Sequence, residues 1–334
     1  MKPKAIQKYT ETNPFQLELF FNRVGIDRKY TNTIGLYDVM PKYKEGNTKR
    51  EKSESGNFES LPILKYDFEY GDANHHLSVI PAKIEKDGKC IDFYPSYREK
   101  LVEEVLRKFV CEGMGKFYDN EVGVVFSLYS VREELAKRGH GYKTNEIKEA
   151  LNICAGTILD FKTNNKTLSG KSAIFPKLII NERGNDDDIC FVRFHPFVTK
   201  AILENNYKKI HFERYISLKK QLASWLYSRM AFLFHPNQNN YYHIMLSTII
   251  KCGGMEEYTR ISDSIRKVKD ALDEMVTEGI IREYLAEVIK DPRNKKKFTD
   301  CKFHLYPSNN FINDSHEQRK HSEKLKSIFH TQNQ

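Results

Sequence analysis

The most constraining stretch of this sequence runs over residues 257–305, where a strongly amphipathic helix leads straight into a hairpin with a basic tip. Ile261, Ile265, Val268, Leu272, Met275 and Val276 recur at the i, i+4, i+7 spacing of one buried helical stripe. At 100° per residue the opposite face carries Thr259, Asp263, Arg266, Lys267 and Asp270. Gly279 follows the helix, and apolar residues resume at Ile280, Ile281 and Tyr284. A basic tip with Arg293, Lys295, Lys296 and Lys297 precedes a return strand, Phe298–Leu305. A helix with a polar, partly basic outer face and a lysine-tipped hairpin behind it is the pattern of a winged helix. Such a helix suits a major groove, and such a wing suits phosphate. The competing reading is an ordinary surface helix with a solvated charge face.

The charge distribution separates the two halves of the chain. Of the 334 residues, 206–334 hold 22 Lys and Arg against 15 Asp and Glu, whereas the first 205 hold 32 against 30. The excess behind the net charge of +9 thus lies mostly in the half that contains the amphipathic helix. That favours a polyanionic partner, although charge alone does not separate nucleic acid from an anionic membrane. Residues 1–11 lack the apolar core of a signal peptide, and no run approaches the roughly 20 apolar residues of a membrane span. Cys90, Cys111, Cys154, Cys190, Cys252 and Cys301 form no C-x-x-C pair, and all but Cys301 sit among apolar neighbours. They read as small buried thiols of a reducing compartment, so a cytoplasmic protein without membrane contact is expected.

The chain divides into four expected regions: a β-rich N-terminal region (1–95), two helical modules (96–205 and 206–312) and a polar tail (313–334). In the first region Phe15, Leu17 and Leu19 alternate, as do Ile63, Tyr66 and Phe68 more loosely. Residues 77–84 and 89–94 form an expected hairpin around Asp87-Gly88, and 42–59 an exposed loop. The first module opens with a capping box at Ser96 and Glu99 and an apolar face of Val102, Val105, Leu106 and Phe109. A second capping box, Ser130 and Glu133, starts another helix that Gly139 ends. Thr144 then caps a third helix reaching about Phe161, with Ile147, Leu151, Cys154 and Ile158 inward and Asn145, Glu149, Asn152 and Gly156 outward. Strands at 172–181 and 189–195 would form the first wing. The order recurs after the helix that starts at Pro196. A helix over 217–234 carries Leu218, Leu222, Trp225, Leu226 and Met230, a second spans 242–251, and the 257–278 helix and its hairpin follow. The expected fold class is therefore α+β, tandem winged-helix domains with a β-rich N-terminal extension.

Several segments resemble the Rep-type plasmid replication initiator proteins: Thr33–Asp38, Pro41–Tyr43, Phe93–Glu99, Glu146–Thr157, Cys190–Phe194, Leu246–Ile250 and Arg260–Asp263. None of these segments carries a catalytic signature. The resemblance implies a protein that binds repeated origin sites (iterons), helps to melt an adjacent AT-rich segment and recruits host replication proteins such as the initiator and helicase. It also implies repression of the protein's own promoter and a homodimer formed through the first winged-helix domain. A sequence-specific transcriptional regulator without an initiation role shares every residue-level feature and is the alternative.

The residues expected to meet double-stranded DNA follow from position and chemistry. Arg266 suits guanine O6 and N7 and Lys267 suits phosphate, with salt bridging to Asp263 or Asp270 as the alternative role. Arg260 and Ser262 lie at the helix N-terminus, where free N–H groups favour phosphate and where plain capping is the alternative, and Asp263 is counted with them among the DNA-facing residues. Lys295, Lys296 and Lys297 suit a wing on phosphate, as do Lys166 and Lys171 in the first module. Asn145, Lys148 and Asn152 face outward from the third helix, which either reads bases or packs on protein. Trp225 belongs to a helix core. His75-His76 lacks a second ligand pair, so no metal is expected. There is no P-loop or G-x-S-x-G motif, and the histidines lack the His-hydrophobic-His order of nicking enzymes, so neither catalysis nor a cofactor is expected.

Overall fold

The computed structural model describes residues 30–44, 60–70, 73–86, 89–118, 121–164, 169–181, 189–203, 206–235, 240–255, 258–294 and 298–317. The alternation at Phe15, Leu17 and Leu19, most of the expected loop after Lys44, Lys166, the wing tip Lys295–Lys297 and the end of the tail lie outside the described residues.

The chain begins with β1 (Tyr30–Thr33) and a short α1 (Gly35–Val39), followed by β2 (Leu64–Tyr70), β3 (Ala73–Ile80) and the hairpin of β4 (Ala82–Lys86) and β5 (Lys89–Phe93). Helix α2 (Tyr97–Phe109) starts at the expected box, in which the Ser96 N–H and hydroxyl donate to Glu99 at 2.8 and 2.7 Å. A wide turn with Gly113 at φ 93° leads into β6 (Gly115–Tyr118) and β7 (Glu121–Phe126). Next come α3 (Leu128–Ala136), α4 (Thr144–Gly156), β8 (Ile158–Thr163), β9 (Ser169–Ala173), β10 (Lys177–Asn181), β11 (Ile189–Arg193) and α5 (Pro196–Leu203). The second half holds β12 (Lys208–His211), α6 (Phe212–Ser217), α7 (Gln221–Leu233), β13 (Tyr242–Met245), α8 (Leu246–Cys252), α9 (Ile261–Thr277), β14 (Ile281–Lys290) and β15 (Phe298–Pro307). The fold is a mixture of helices and antiparallel strands around one continuous apolar core.

Several expectations are corrected. The third helix stops at Gly156, five residues before Phe161, and Ile158 opens a strand. Ile158 matches the helical spacing, but Thr157 takes an extended ψ of 122° and turns the β-branched pair into β8, which pairs with β3. Lys143, not Thr144, occupies the cap position of α4. The hairpin of the first module is therefore β8–β9, in a sheet of order β2-β3-β8-β9. The run 172–181 splits at residues 174–176, and β10 joins a different sheet, β10-β11-β7-β6. Helix α3 starts at a Ser127–Ser130 box, not at Ser130 and Glu133. The expected helix over 217–234 is broken at 218–220 into α6 and α7, and residues 242–245 are a strand paired with β15. Cys301 is fully buried while Cys90 is exposed, the reverse of the expected exception.

The N-terminal segment ties the halves together. β1 pairs with β12, Tyr30 opposite His211, and the Trp225 indole N–H donates to the Val39 carbonyl at 3.2 Å. Trp225 is thus a core residue, as expected. Beneath this segment α2 buries Lys100, Glu103, Glu104 and Arg107. Arg107 grips both oxygens of Asp38 at 2.8 and 3.0 Å, and Lys42 stands 3.5 Å from the same carboxylate. Burial alone would raise the Asp38 pKa, but Arg107 and Lys42 hold it at about 2. A buried carboxylate between two cations keeps its charge, and so fastens the segment to α2.

Candidate nucleic-acid interface

Helix α9 is built as the sequence requires. Ile265, Val268, Ala271, Leu272 and Met275 are buried against α7, α8 and the hairpin β14–β15. Its outer face leaves Ser262, Arg266 and Asp270 exposed, with Asp263 and Lys267 half-buried. Arg266 is 74% exposed and touches Asp263 at 3.1 Å, a contact on the surface that costs little to exchange for another anion. The Arg260 side chain makes no cap hydrogen bond at the start of this helix, where the helix dipole favours an anion. Side-chain capping, the alternative role, is not made by Arg260.

The hairpin is fastened to the helix beside it. Cys301, Phe303 and Leu305 of β15 are fully buried, and the Tyr284 hydroxyl on β14 donates to Asp273 of α9 at 2.8 Å. Burial and that carboxylate push the Tyr284 pKa up to about 12. Towards the tip Lys290 and Arg293 are exposed.

The first module is less open. Helix α4 buries Ile147, Ala150, Leu151, Ile153 and Cys154. Its expected outer face is partly occupied: Glu149 pairs with Arg98 of α2 at 3.0 Å, and β4 packs along the helix, Ala82 lying where a side chain on Gly156 would point. The Asn152 amide donates to the Lys148 carbonyl of its own helix at 2.9 Å. The N-terminal turn remains open, with Lys143 and Asn145 exposed and Lys148 half-buried. Lys171 is exposed on the edge strand β9, opposite Asp160. Lys143, exposed one residue before the helix start, was not singled out by the sequence pattern; free N–H groups at such a position favour anions.

His75 lies in the core, stacked on Phe161 at 5.2 Å, and among the described residues no group of three His, Cys, Asp or Glu could hold a metal. No described helix is long and apolar enough to cross a membrane.

No family model matches this sequence, and no curated protein matches it significantly. Solved structures do resemble it in fold. Domains 2 and 3 of RctB align with a TM-score of 0.49 at 12% identity, covering 82% of this chain and 96% of theirs. A second crystal structure of RctB domains 2–3 gives 0.47 at 9% identity, over 85% of this chain and 99% of that one. The Pi initiator protein in complex with iteron DNA aligns with a TM-score of 0.45 at 12% identity, over 64% of this chain and 91% of its own.

Proposed function

We propose that this chain is a replication initiator that binds duplex DNA, without catalysis, through two winged-helix units. The first comprises α2, α3, α4 and the hairpin β8–β9; the second comprises α7, α8, α9 and the hairpin β14–β15. Arg266 and Lys267 of α9 read and grip one major groove, while the N-terminal turn of α4, with Lys143 and Asn145, approaches another. The hairpin beyond Lys290 lies along phosphate. The observation that carries this reading is the outer face of α9: a packed apolar side opposite an exposed, arginine-bearing surface, with the hairpin β14–β15 bonded beside it. The sequence segments that resemble Rep-type initiators extend the proposal to repeated origin sites, opening of AT-rich DNA, recruitment of host initiator and helicase, and repression of the protein's own promoter as a homodimer.

A footprint on the DNA flanking the protein's own gene tests this. Protection over tandem repeats is expected, with permanganate-reactive thymines in an adjacent AT-rich segment. No protection anywhere would overturn the DNA-binding reading. Protection that never leads to opening, even with host replication proteins added, would leave the regulator alternative in its place.

A further inference from the structure

The segment between the two modules is held from both sides. On one side, Arg138, just past α3, bonds Glu213 of α6 through Nε at 3.0 Å and again through its terminal nitrogen. His140 Nε2 donates to the Ile216 carbonyl at 3.0 Å, and the Tyr97 hydroxyl donates to the Leu218 carbonyl at 2.7 Å. Arg138 and His140 sit on the turn that launches α4. On the other side, the carboxylate of Glu274, near the end of α9, accepts the N–H groups of Lys219 and Lys220 at 2.8 and 3.0 Å. The Ser217 hydroxyl lies 2.8 Å from a carboxylate oxygen of Glu278, just past the end of α9, and 2.8 Å from the Glu213 carbonyl of its own helix. Phe212, Ile216 and Leu218 are fully buried, which anchors the segment in the core.

Glu274 has a specific physical part here. Helix α7 has no cap from its own side chains, and the carboxylate of α9 meets the N–H groups at its threshold. A negative group is favoured at that end of α7 by the helix dipole, so α9 and α7 stabilise each other's position.

Resting on the DNA-binding role proposed above, we infer that residues 213–220 are a strut that fixes the separation of α4 and α9, so that the chain accepts two half-sites at one spacing only. Inserting one base pair between half-sites moves the second by about 3.4 Å and rotates it by about 34°. Hydrogen bonds that hold within roughly half an ångström of their ideal length cannot follow such a shift. Arg138, Tyr97 and Glu274 are then positioning residues for spacing specificity, although none of them touches DNA.

The test is selection of binding sites from a random duplex pool with the full chain and with the variants Tyr97→Phe/Arg138→Ala and Glu213→Ala. Glu213 is largely exposed, so its variant serves if the double variant does not fold. Wild type should enrich two sequence blocks at a single spacing, and a one-base-pair insertion should lower its affinity about tenfold. The variants should enrich the same blocks at several spacings, with the insertion costing less than about threefold. Several spacings or a single block from wild type, or an unchanged single spacing from both variants, would overturn the strut. No enrichment at all by wild type would instead overturn the DNA-binding reading.

Discussion

Individual residues in this chain divide sharply between those whose charge is spent on the fold and those left facing outward. Arg107 is bound on both oxygens of Asp38, whereas Arg266 keeps a surface contact with Asp263. His195 is a titrating group of the first kind. It lies between the rings of Tyr37 and Phe197 at 5.2 and 5.0 Å, and its Nδ1 accepts the Phe197 N–H at 3.2 Å. Burial, helped by nearby Lys42, lowers its pKa from 6.5 to about 3. The folded chain therefore keeps His195 neutral while the unfolded chain protonates it near pH 6.5, so unfolding takes up a proton between these values. Stability from this residue is complete above pH 6.5 and falls on acidification by up to ~1.4 kcal/mol per pH unit. Denaturant midpoints measured at pH 7, 5.5 and 4.5 should drop less steeply in His195→Gln than in wild type, and parallel slopes would contradict this. The sequence marked Arg266 by helical phase alone. It held no hint that His195 is buried, because that depends on Tyr37 arriving from 158 positions earlier.

Among elements, the ones written in strong periodicity were the legible ones. Helix α9 and the hairpin β14–β15 fall where the spacing of Ile261 to Met275 and the alternation on either side of the lysine tip place them. The misreadings occur where two periods agree over a few residues. Ile158 satisfies a helical stripe and a strand alike, and only the pairing of β8 with β3 decides it. Tyr242–Met245 is four residues long and becomes a strand because β15 lies beside it. The apolar face of α2 is legible, but Lys100, Glu103, Glu104 and Arg107 outside it are buried too, because segment 30–43 packs over them from a distant part of the chain. The hairpin carries its own prediction. Replacing Lys295, Lys296 and Lys297 together by Gln should weaken binding to specific and random DNA alike. It should also make the dependence of log K on log salt shallower by roughly 0.9 for each phosphate that the hairpin no longer neutralises. A binding titration from low to moderate salt reads this directly, and an unchanged slope would remove the hairpin from the interface.

Across the whole molecule, two outward helix faces are carried by one continuous core and joined through residues 213–220 and through the strand pair β1–β12. That arrangement explains why the chain has one apolar core, not two, and why the N-terminal segment contributes to the second half as well as the first. It also explains why only the first turn of α4 is open while most of α9 is, since β4 covers the rest of α4. The most direct measurement is dimethyl sulfate protection of guanine N7, which lies in the major groove, on a selected binding site with wild type and Arg266→Ala. Wild type should protect two patches. The variant should lose one guanine from one patch while keeping the other, with specific affinity reduced by about 1–3 kcal/mol and random binding little changed. Unprotected N7 atoms in the wild-type complex, or an identical pattern with Arg266→Ala, would contradict a DNA-reading role for α9.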